Sequence, residues 1–306
     1  MTTRTSAPWT LLGVPSSAGG HTPGMDLAPA AIRAAGLADR LRERGHTVSD
    51  AGDVPGFRRR PDPDHLDRQN IAEAARVAGD VAEAVANLLA TGALPLVIGG
   101  DCTITVGVVA GFRRAGLPAA LLYVDGGPDL HTPGTVDYGN MDAMGVAHML
   151  ALPESDPVLA GVGGAPPLLR SAEVVSFGDA LPDEGDDLER GRLSDLGIPR
   201  FSAARIHDDP EAAARSALAA IESAGDRFVV HFDVDVLGHA HLPLANMPNP
   251  DAPPWGLAIP EVEVALRTFA ASDRFAGIVL TEVNPGNAPD ASTLRAYVDL
   301  VVAGIG

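Results

Sequence analysis

Short apolar runs alternate with helix-patterned stretches along the whole of this 306-residue chain. Runs at 10–14, 47–53, 94–98, 119–125, 173–177, 228–233 and 275–281, with a weaker one at 200–202, have the length and β-branched content of buried strands. Helices are expected between them, at 26–44, 68–89, 103–115, 142–150, 209–224, 260–271 and 292–304. The stretch 68–89 keeps Ile71, Ala75, Ala78, Val81, Val85 and Leu88 on one face, and 260–271 opens with Pro in its first turn. Alternation of this kind implies right-handed βαβ units and a mostly parallel sheet covered on both faces. The expected architecture is therefore a three-layer α/β/α domain with about eight strands. No repeat, low-complexity tract or linker divides the chain, so a single domain over 1–306 is expected.

Composition removes several classes of function. The formal charge is −18, which argues against binding a phosphate backbone and so against a nucleic-acid partner. No apolar stretch is long enough to span a bilayer and no signal peptide is read at the start, so a soluble, cytoplasmic protein is expected. A single cysteine, Cys102, rules out an internal disulfide framework. All 22 basic residues are arginines, and without lysine there is no Schiff-base chemistry and no lysine-dependent phosphate loop.

Two strand-like runs end in paired aspartates. One reads Leu121-Leu122-Tyr123-Val124-Asp125-Gly126-Gly127-Pro128-Asp129, the other Phe228-Val229-Val230-His231-Phe232-Asp233-Val234-Asp235. An open α/β sheet binds its ligands at the carboxyl ends of its strands, and an extended backbone points residues two apart, such as Asp233 and Asp235, the same way. Taken alone, each aspartate is equally a residue that caps a helix or closes a turn. Taken together, four converging carboxylates repel one another, by about 4 kcal/mol for each pair about 4 Å apart at an effective dielectric near 20. Neither motif contains an arginine, so a divalent cation on oxygen ligands is the simplest neutraliser.

Four ordered segments carry a wider resemblance: Gly99-Gly100-Asp101-Cys102, Asp125 to Pro133, Phe232 to Asp235, and Thr281-Glu282-Val283-Asn284-Pro285, preceded by Gly13-Val14-Pro15 and Pro29-Ala30-Ala31-Ile32-Arg33. Their order and spacing resemble the arginase and agmatinase (ureohydrolase) family over nearly the whole chain. The resemblance implies an arginase-like α/β/α fold, two Mn²⁺ ions bridged by hydroxide, and hydrolysis of a guanidino or amidino carbon. It also implies a homo-oligomer.

Residue by residue, the chain departs from that pattern. Cys102 stands where the family has one histidine ligand and Gly127 where it has the other, while Asp125, Asp129, Asp233 and Asp235 keep the carboxylate positions. The family's Gly-Asn-x-His, whose histidine shuttles protons, reads Gly139-Asn140-Met141-Asp142. Glu282 occupies the position of the glutamate that pairs with guanidinium. With Asp125, Asp129, Asp233, Asp235 and Cys102 as the metal set, one or two Mn²⁺ ions are expected, with Mg²⁺ or another divalent cation as an alternative. A replacement imidazole is sought in His131, His239 or His241, each of which reads equally as a loop side chain bonded to backbone. Cys102 is a thiolate ligand, a nucleophile or a small core residue. Glu282 and Asp142 are the expected catalytic pair, Asp142 doubling as a candidate helix N-cap. His131, Asn140 and Asp183, the last within the acidic stretch 179–187, are the expected substrate-facing residues. That acidic stretch reads equally as a solvated surface.

Two functions follow. The first is a metal-dependent hydrolase of a linear amidine or guanidino compound other than arginine itself. The second is a catalytically silent arginase-fold protein that binds a small cationic ligand or a partner. A third, a metal-free enzyme built on Cys102, requires a basic partner for the thiol that the sequence does not designate.

Overall fold

A computed structural model describes residues 7–136, 138–181, 187–246 and 256–306. The strands are β1 (Trp9–Gly13), β2 (Val48–Asp53), β3 (Leu94–Ile98), β4 (Ala120–Val124), β5 (Val174–Phe177), β6 (Arg200–Phe201), β7 (Phe228–Asp233) and β8 (Phe275–Thr281). The helices are α1 (Ala28–Ala34), α2 (Leu37–Glu43), α3 (Ile71–Ala90), α4 (Ile104–Arg114), α5 (Gly145–Met149), α6 (Pro157–Ala160), α7 (Leu188–Asp195), α8 (Ala203–Asp208), α9 (Pro210–Ala224), α10 (Ile259–Ala270) and α11 (Ala291–Ile305). The strands form one eight-stranded sheet in the order β2-β1-β3-β8-β7-β4-β5-β6, and every pairing is parallel.

Each expected strand is present. Two helices differ from expectation for local reasons. The stretch 26–44 is not one helix, because Gly36 takes a left-handed φ of 89° and separates α1 from α2. Helix α3 begins at Ile71 because Asn70 is also left-handed, with its N–H given to Asp62 Oδ2 at 2.9 Å. Helices α6, α7 and α8 were not expected. Two of them are short, and α7 is too polar and weakly patterned to announce itself.

Alternation along the strands builds the two faces. Leu11, Leu96, Ile98, Phe228, Val230 and Phe232 pack with α1, α2 and α9 to α11. Leu12, Val97, Val229 and Val279 pack with α3 and α4 on the other side. Burial on both faces explains why the inner strands read as continuous apolar runs, whereas β2, at the sheet edge, is polar and exposed after Val48. Helices α3 and α4 approach closely at Gly107, where a β-carbon would fall 2.4 Å from the Ala78 carbonyl oxygen. No helix among the described residues is long and apolar enough to cross a membrane.

The strand order also places the site. β3, β8, β7 and β4 are neighbours at the centre of the sheet, so the segments leaving their carboxyl ends meet. Those four segments carry Cys102, Glu282, Asp233 with Asp235, and Asp125 with Asp129.

Candidate active site

The turn after β3 is drawn tightly into the sheet. A β-carbon at Gly100 would lie 2.2 Å from the Ser16 carbonyl oxygen, so only glycine admits this approach. The Glu282 amide donates to the Gly100 carbonyl at 2.9 Å and joins the ends of β3 and β8. Glu282 has φ of 60° and Asp129 has φ of 50°, a region costly for residues with a β-carbon. Both acidic side chains are thus aimed by strained backbone.

The turn-closing reading of the aspartates holds for one oxygen each of Asp125 and Asp233. Asp125 Oδ1 accepts the Gly127 N–H at 2.7 Å, and Asp233 Oδ1 accepts the Asp235 N–H at 2.7 Å. These are side-chain turns over two residues. Their Oδ2 atoms are left to face inward. Cys102 Sγ lies 2.8 Å from Asp233 Oδ2 and 3.9 Å from Asp125 Oδ2. Asp235 does not reach the site by strand alternation as expected: β7 ends at Asp233, and Val234–Val236 is a 3₁₀ turn. Asp235 Oδ1 accepts the Gly126 N–H at 3.0 Å, and Asp129 Oδ2 accepts from the Tyr123 hydroxyl.

A fully buried imidazole stands behind these groups, and it is none of the three sought from sequence. His231 Nε2 is 3.6 Å from Cys102 Sγ and 3.2 Å from Asp125 Oδ2. Its Nδ1 is 2.7 Å from Thr105 Oγ1 on α4, and its ring stacks on Tyr123 with centroids 4.0 Å apart. Burial holds His231 down to about 3, so it is a neutral imidazole at physiological pH. One ligand atom each from Cys102, Asp125, His231 and Asp233 lie within 4.8 Å of one another; so do those of Cys102, Asp142 and Glu282. His131, His239 and His241 belong to neither group. His131 Nδ1 is 3.1 Å from Thr135 Oγ1, and its Nε2 faces Glu189 at 3.6 Å. The sequence did hold the missed signal: His231 precedes Asp233 by two, so on a strand both point to the same face.

Asp142 does not cap the following helix. Its Oδ1 instead accepts the Cys102 N–H at 2.6 Å, and it is hydrogen-bonded to Glu282. Burial raises Asp142 to about 7, opposed in part by the Glu282 hydrogen bond and reinforced by the charge of Asp101. Burial, then the neighbouring Asp142 and Asp233 charges, push Glu282 well above the usual glutamate range. Asp125, Asp129 and Asp233 are pushed well above theirs by burial first and by one another and adjacent carboxylates second. None of the four aspartates pairs with an arginine among the described residues.

These groups line a cavity of about 170 Å³. Cys102, Asp125, Asp129, Asp233 and Asp235 form its floor, with Asp142, Glu282 and Asn140 also on its wall. His21, Tyr138 and Asn246, which sequence reading missed, border it as well. They come from loops without strand or helix periodicity, and Asn246 is tied to Thr22 by hydrogen bonds of 3.0 and 3.1 Å. Two buried acceptors on the cavity wall, Glu282 Oε1 and Asn140 Oδ1, have no hydrogen-bond partner among the described residues. His131 is not on the wall, and Asp183 lies outside the described residues. Within the acidic stretch 179–187, Asp179 is buried against Arg200 at 2.7 Å, and Asp187 caps α7. Those two aspartates brace the fold.

The structure does supply the base that a thiol nucleophile requires, since His231 stands beside Cys102. The electrostatics oppose it. Burial, then the charges of Asp233, Asp142, Asp129 and Asp125, raise the thiol well above its ordinary value, and thiolate is the reactive form.

Comparison with known proteins identifies relatives of the whole chain. A curated arginase of Brevibacillus brevis is 27% identical over 299 residues, covering 95% of each chain. The crystal structure of arginase from Bacillus caldovelox superposes with a TM-score of 0.88 at 25% identity, covering 98% of this chain and 99% of that one. Formimidoylglutamase from Bacillus subtilis shares the fold, with a TM-score of 0.75 at 18% identity over 98% of this chain and 87% of its own. The sequence pattern described as Arginase family matches residues 7–305, and on that match this chain belongs to the arginase family.

Proposed function

We propose that this chain is a metal-dependent hydrolase that cleaves a C–N bond of a small linear amidine or guanidino compound. The observation that carries the reading is Glu282 Oε1, a buried carboxylate oxygen on the cavity wall without a partner among the described residues. A buried unpaired acceptor costs about 1–3 kcal/mol, more when charged, and a planar N–H-rich cation removes that cost. Asn140 Oδ1, also unpaired, offers a further acceptor on the same wall. The cavity, at about 170 Å³, is smaller than the ~300 Å³ at which ordinary small-molecule sites begin, which favours a short substrate.

The donors present do not fit the family's two manganese ions. The family's second imidazole position is Gly127, so a second ion would be left with carboxylates alone. A single divalent cation does fit, held by Asp125 and Asp233 with Cys102 and His231 alongside. When bound, it supplies Lewis-acid chemistry and offsets the clustered negative charge. The remaining work falls to the chain. Glu282 orients the cationic end of the substrate, and Asn140 accepts one of its N–H groups. Asp142, poised at about 7 and hydrogen-bonded to Glu282, is placed to pass a proton to the departing amine.

The test is a screen of guanidino and amidino acids and amines for released urea or ammonia, using protein loaded with a divalent cation. Glu282→Gln should lower kcat/KM by about 100-fold, close to 3 kcal/mol of transition-state stabilisation, while circular dichroism stays unchanged. If metal-loaded wild type turns over no compound yet binds these cations at the cavity, the silent-scaffold reading replaces this one.

A further inference from the structure

The pairing of Cys102 with His231 changes which cation the site prefers. Here one sulfur, one nitrogen and two oxygens stand together, the sulfur and the oxygens from residues that line the cavity and the nitrogen of His231 directly behind them. Tetrahedral geometry can be tested against distances. With metal–sulfur bonds near 2.3 Å and metal–nitrogen and metal–oxygen bonds near 2.0–2.2 Å, the ligand-to-ligand edges are about 3.4 Å between N and O and about 3.6 Å to sulfur. The observed edges are 3.2 Å for His231 Nε2 to Asp125 Oδ2, 3.6 Å for Cys102 Sγ to His231 Nε2, and 3.9 Å for Cys102 Sγ to Asp125 Oδ2. One edge is shorter, Cys102 Sγ to Asp233 Oδ2 at 2.8 Å, as suits a thiol donating its proton to a carboxylate. That edge opens when a cation takes the proton's place, because a coordinating thiol is deprotonated outright.

The surroundings of His231 fit a ligand. If its Nδ1–H donates to Thr105 Oγ1 at 2.7 Å, the Nε2 lone pair faces the other three donors. Stacking on Tyr123, with the rings 12° from parallel, fixes the imidazole plane. Both Asp125 and Asp233 are held by main-chain amides through Oδ1, so their Oδ2 atoms are set before any ion arrives. Cys102, Asp125 and Asp233 all border the cavity, which gives an ion its way in.

We propose that Cys102, His231, Asp125 and Asp233 form a single tetrahedral N/O/S site for a thiophilic divalent cation such as Zn²⁺, in place of a manganese pair. Thiolate and imidazole favour the later and softer ions, whereas carboxylate, carbonyl and water suit Mn²⁺ and Mg²⁺. The inference rests on the hydrolase reading only in sharing its cavity. It names the ion and the ligands, not the substrate.

The experiment uses full-length protein stripped with chelator and titrated separately with Co²⁺, Zn²⁺ and Mn²⁺. Co²⁺ should bind one per chain, with the intense visible bands of tetrahedral cobalt and a near-ultraviolet thiolate-to-cobalt band. That charge-transfer band should disappear in Cys102→Ser, and Zn²⁺ affinity should fall at least tenfold, while the weaker Mn²⁺ affinity changes by less than twofold. His231→Gln should keep the thiolate band but lose tetrahedral intensity, which guards against a Cys102 variant that fails to fold. A cobalt complex without the thiolate band, or two Mn²⁺ ions held as tightly as Zn²⁺, overturns the proposal and leaves the hydrolase reading standing. A thiolate band without turnover of any guanidino compound supports the proposal and removes the hydrolase. Absence of any bound divalent cation overturns both.

Discussion

Replacing Asp142 with asparagine should stabilise the metal-free protein, by an amount that grows with pH. Asp142 is buried, accepts the Cys102 N–H at 2.6 Å and is hydrogen-bonded to Glu282. Burial raises its carboxyl from 3.8 to about 7. Between those two values the folded chain keeps a proton that the unfolded chain has released. Stability is therefore whole below the unfolded value and drains as pH rises toward about 7, above which both states are ionised and the loss is constant. The interval corresponds to about 4 kcal/mol when fully developed. Asparagine keeps the acceptor for Cys102, turns a donor toward Glu282 and cannot ionise. Urea unfolding in chelator should show no difference near pH 3, a gain of about 2 kcal/mol near pH 5.5 and about 4 kcal/mol near pH 8, with an unchanged m-value. A gain of the same size at all three pH values, or a variant weaker than wild type near pH 8, would refute the argument that ionising Asp142 strains the empty site.

Three further outcomes follow from geometry. A β-carbon at Gly127 would meet Asp129 Oδ1 at 3.8 Å and Asp125 Oδ1 at 3.9 Å, ordinary contacts, so Gly127→His should fold and raise bound divalent cation from one to two per chain. Metal analysis after gel filtration checks this, and a ratio still at one would show that the introduced imidazole does not face the carboxylates. Arg200→Ala strands the fully buried Asp179 without its cation and should cost about 3–5 kcal/mol by denaturant unfolding, with partial recovery in the double variant that also carries Asp179→Ala. Gly107→Ala forces α3 and α4 apart, since the added carbon falls 2.4 Å from the Ala78 carbonyl oxygen, and should lower stability by about 1–3 kcal/mol; an unchanged melting temperature counts against the close packing described.

The central sheet was legible because both of its faces are covered, so β1, β3, β4, β5, β7 and β8 advertised themselves as apolar runs, unlike the exposed, polar edge strand β2. The carboxylate positions and Glu282 were legible because they end such runs. His231 was passed over because, inside a strand among Val230 and Phe232, it reads as core, and only its two-residue offset from Asp233 betrays the shared face. Asp235 does border the cavity, but a 3₁₀ turn and not strand alternation brings it there. Asp179 looked like part of an acidic surface, and no local pattern reveals that Arg200, 21 residues on, neutralises it inside the fold. His21, Tyr138 and Asn246 lie in loops whose course is set by tertiary contacts such as Thr22 to Asn246, 224 positions apart.

The division of labour within each aspartate has a consequence for how such a centre changes over generations. Because one oxygen of Asp125 and one of Asp233 is moored to the peptide backbone, the acidic half of the nest survives whatever happens to its nitrogen and sulfur neighbours. A lineage can then trade a histidine here for a cysteine there, and draw in an imidazole from an adjoining strand, while the anchor points stay where the sheet put them.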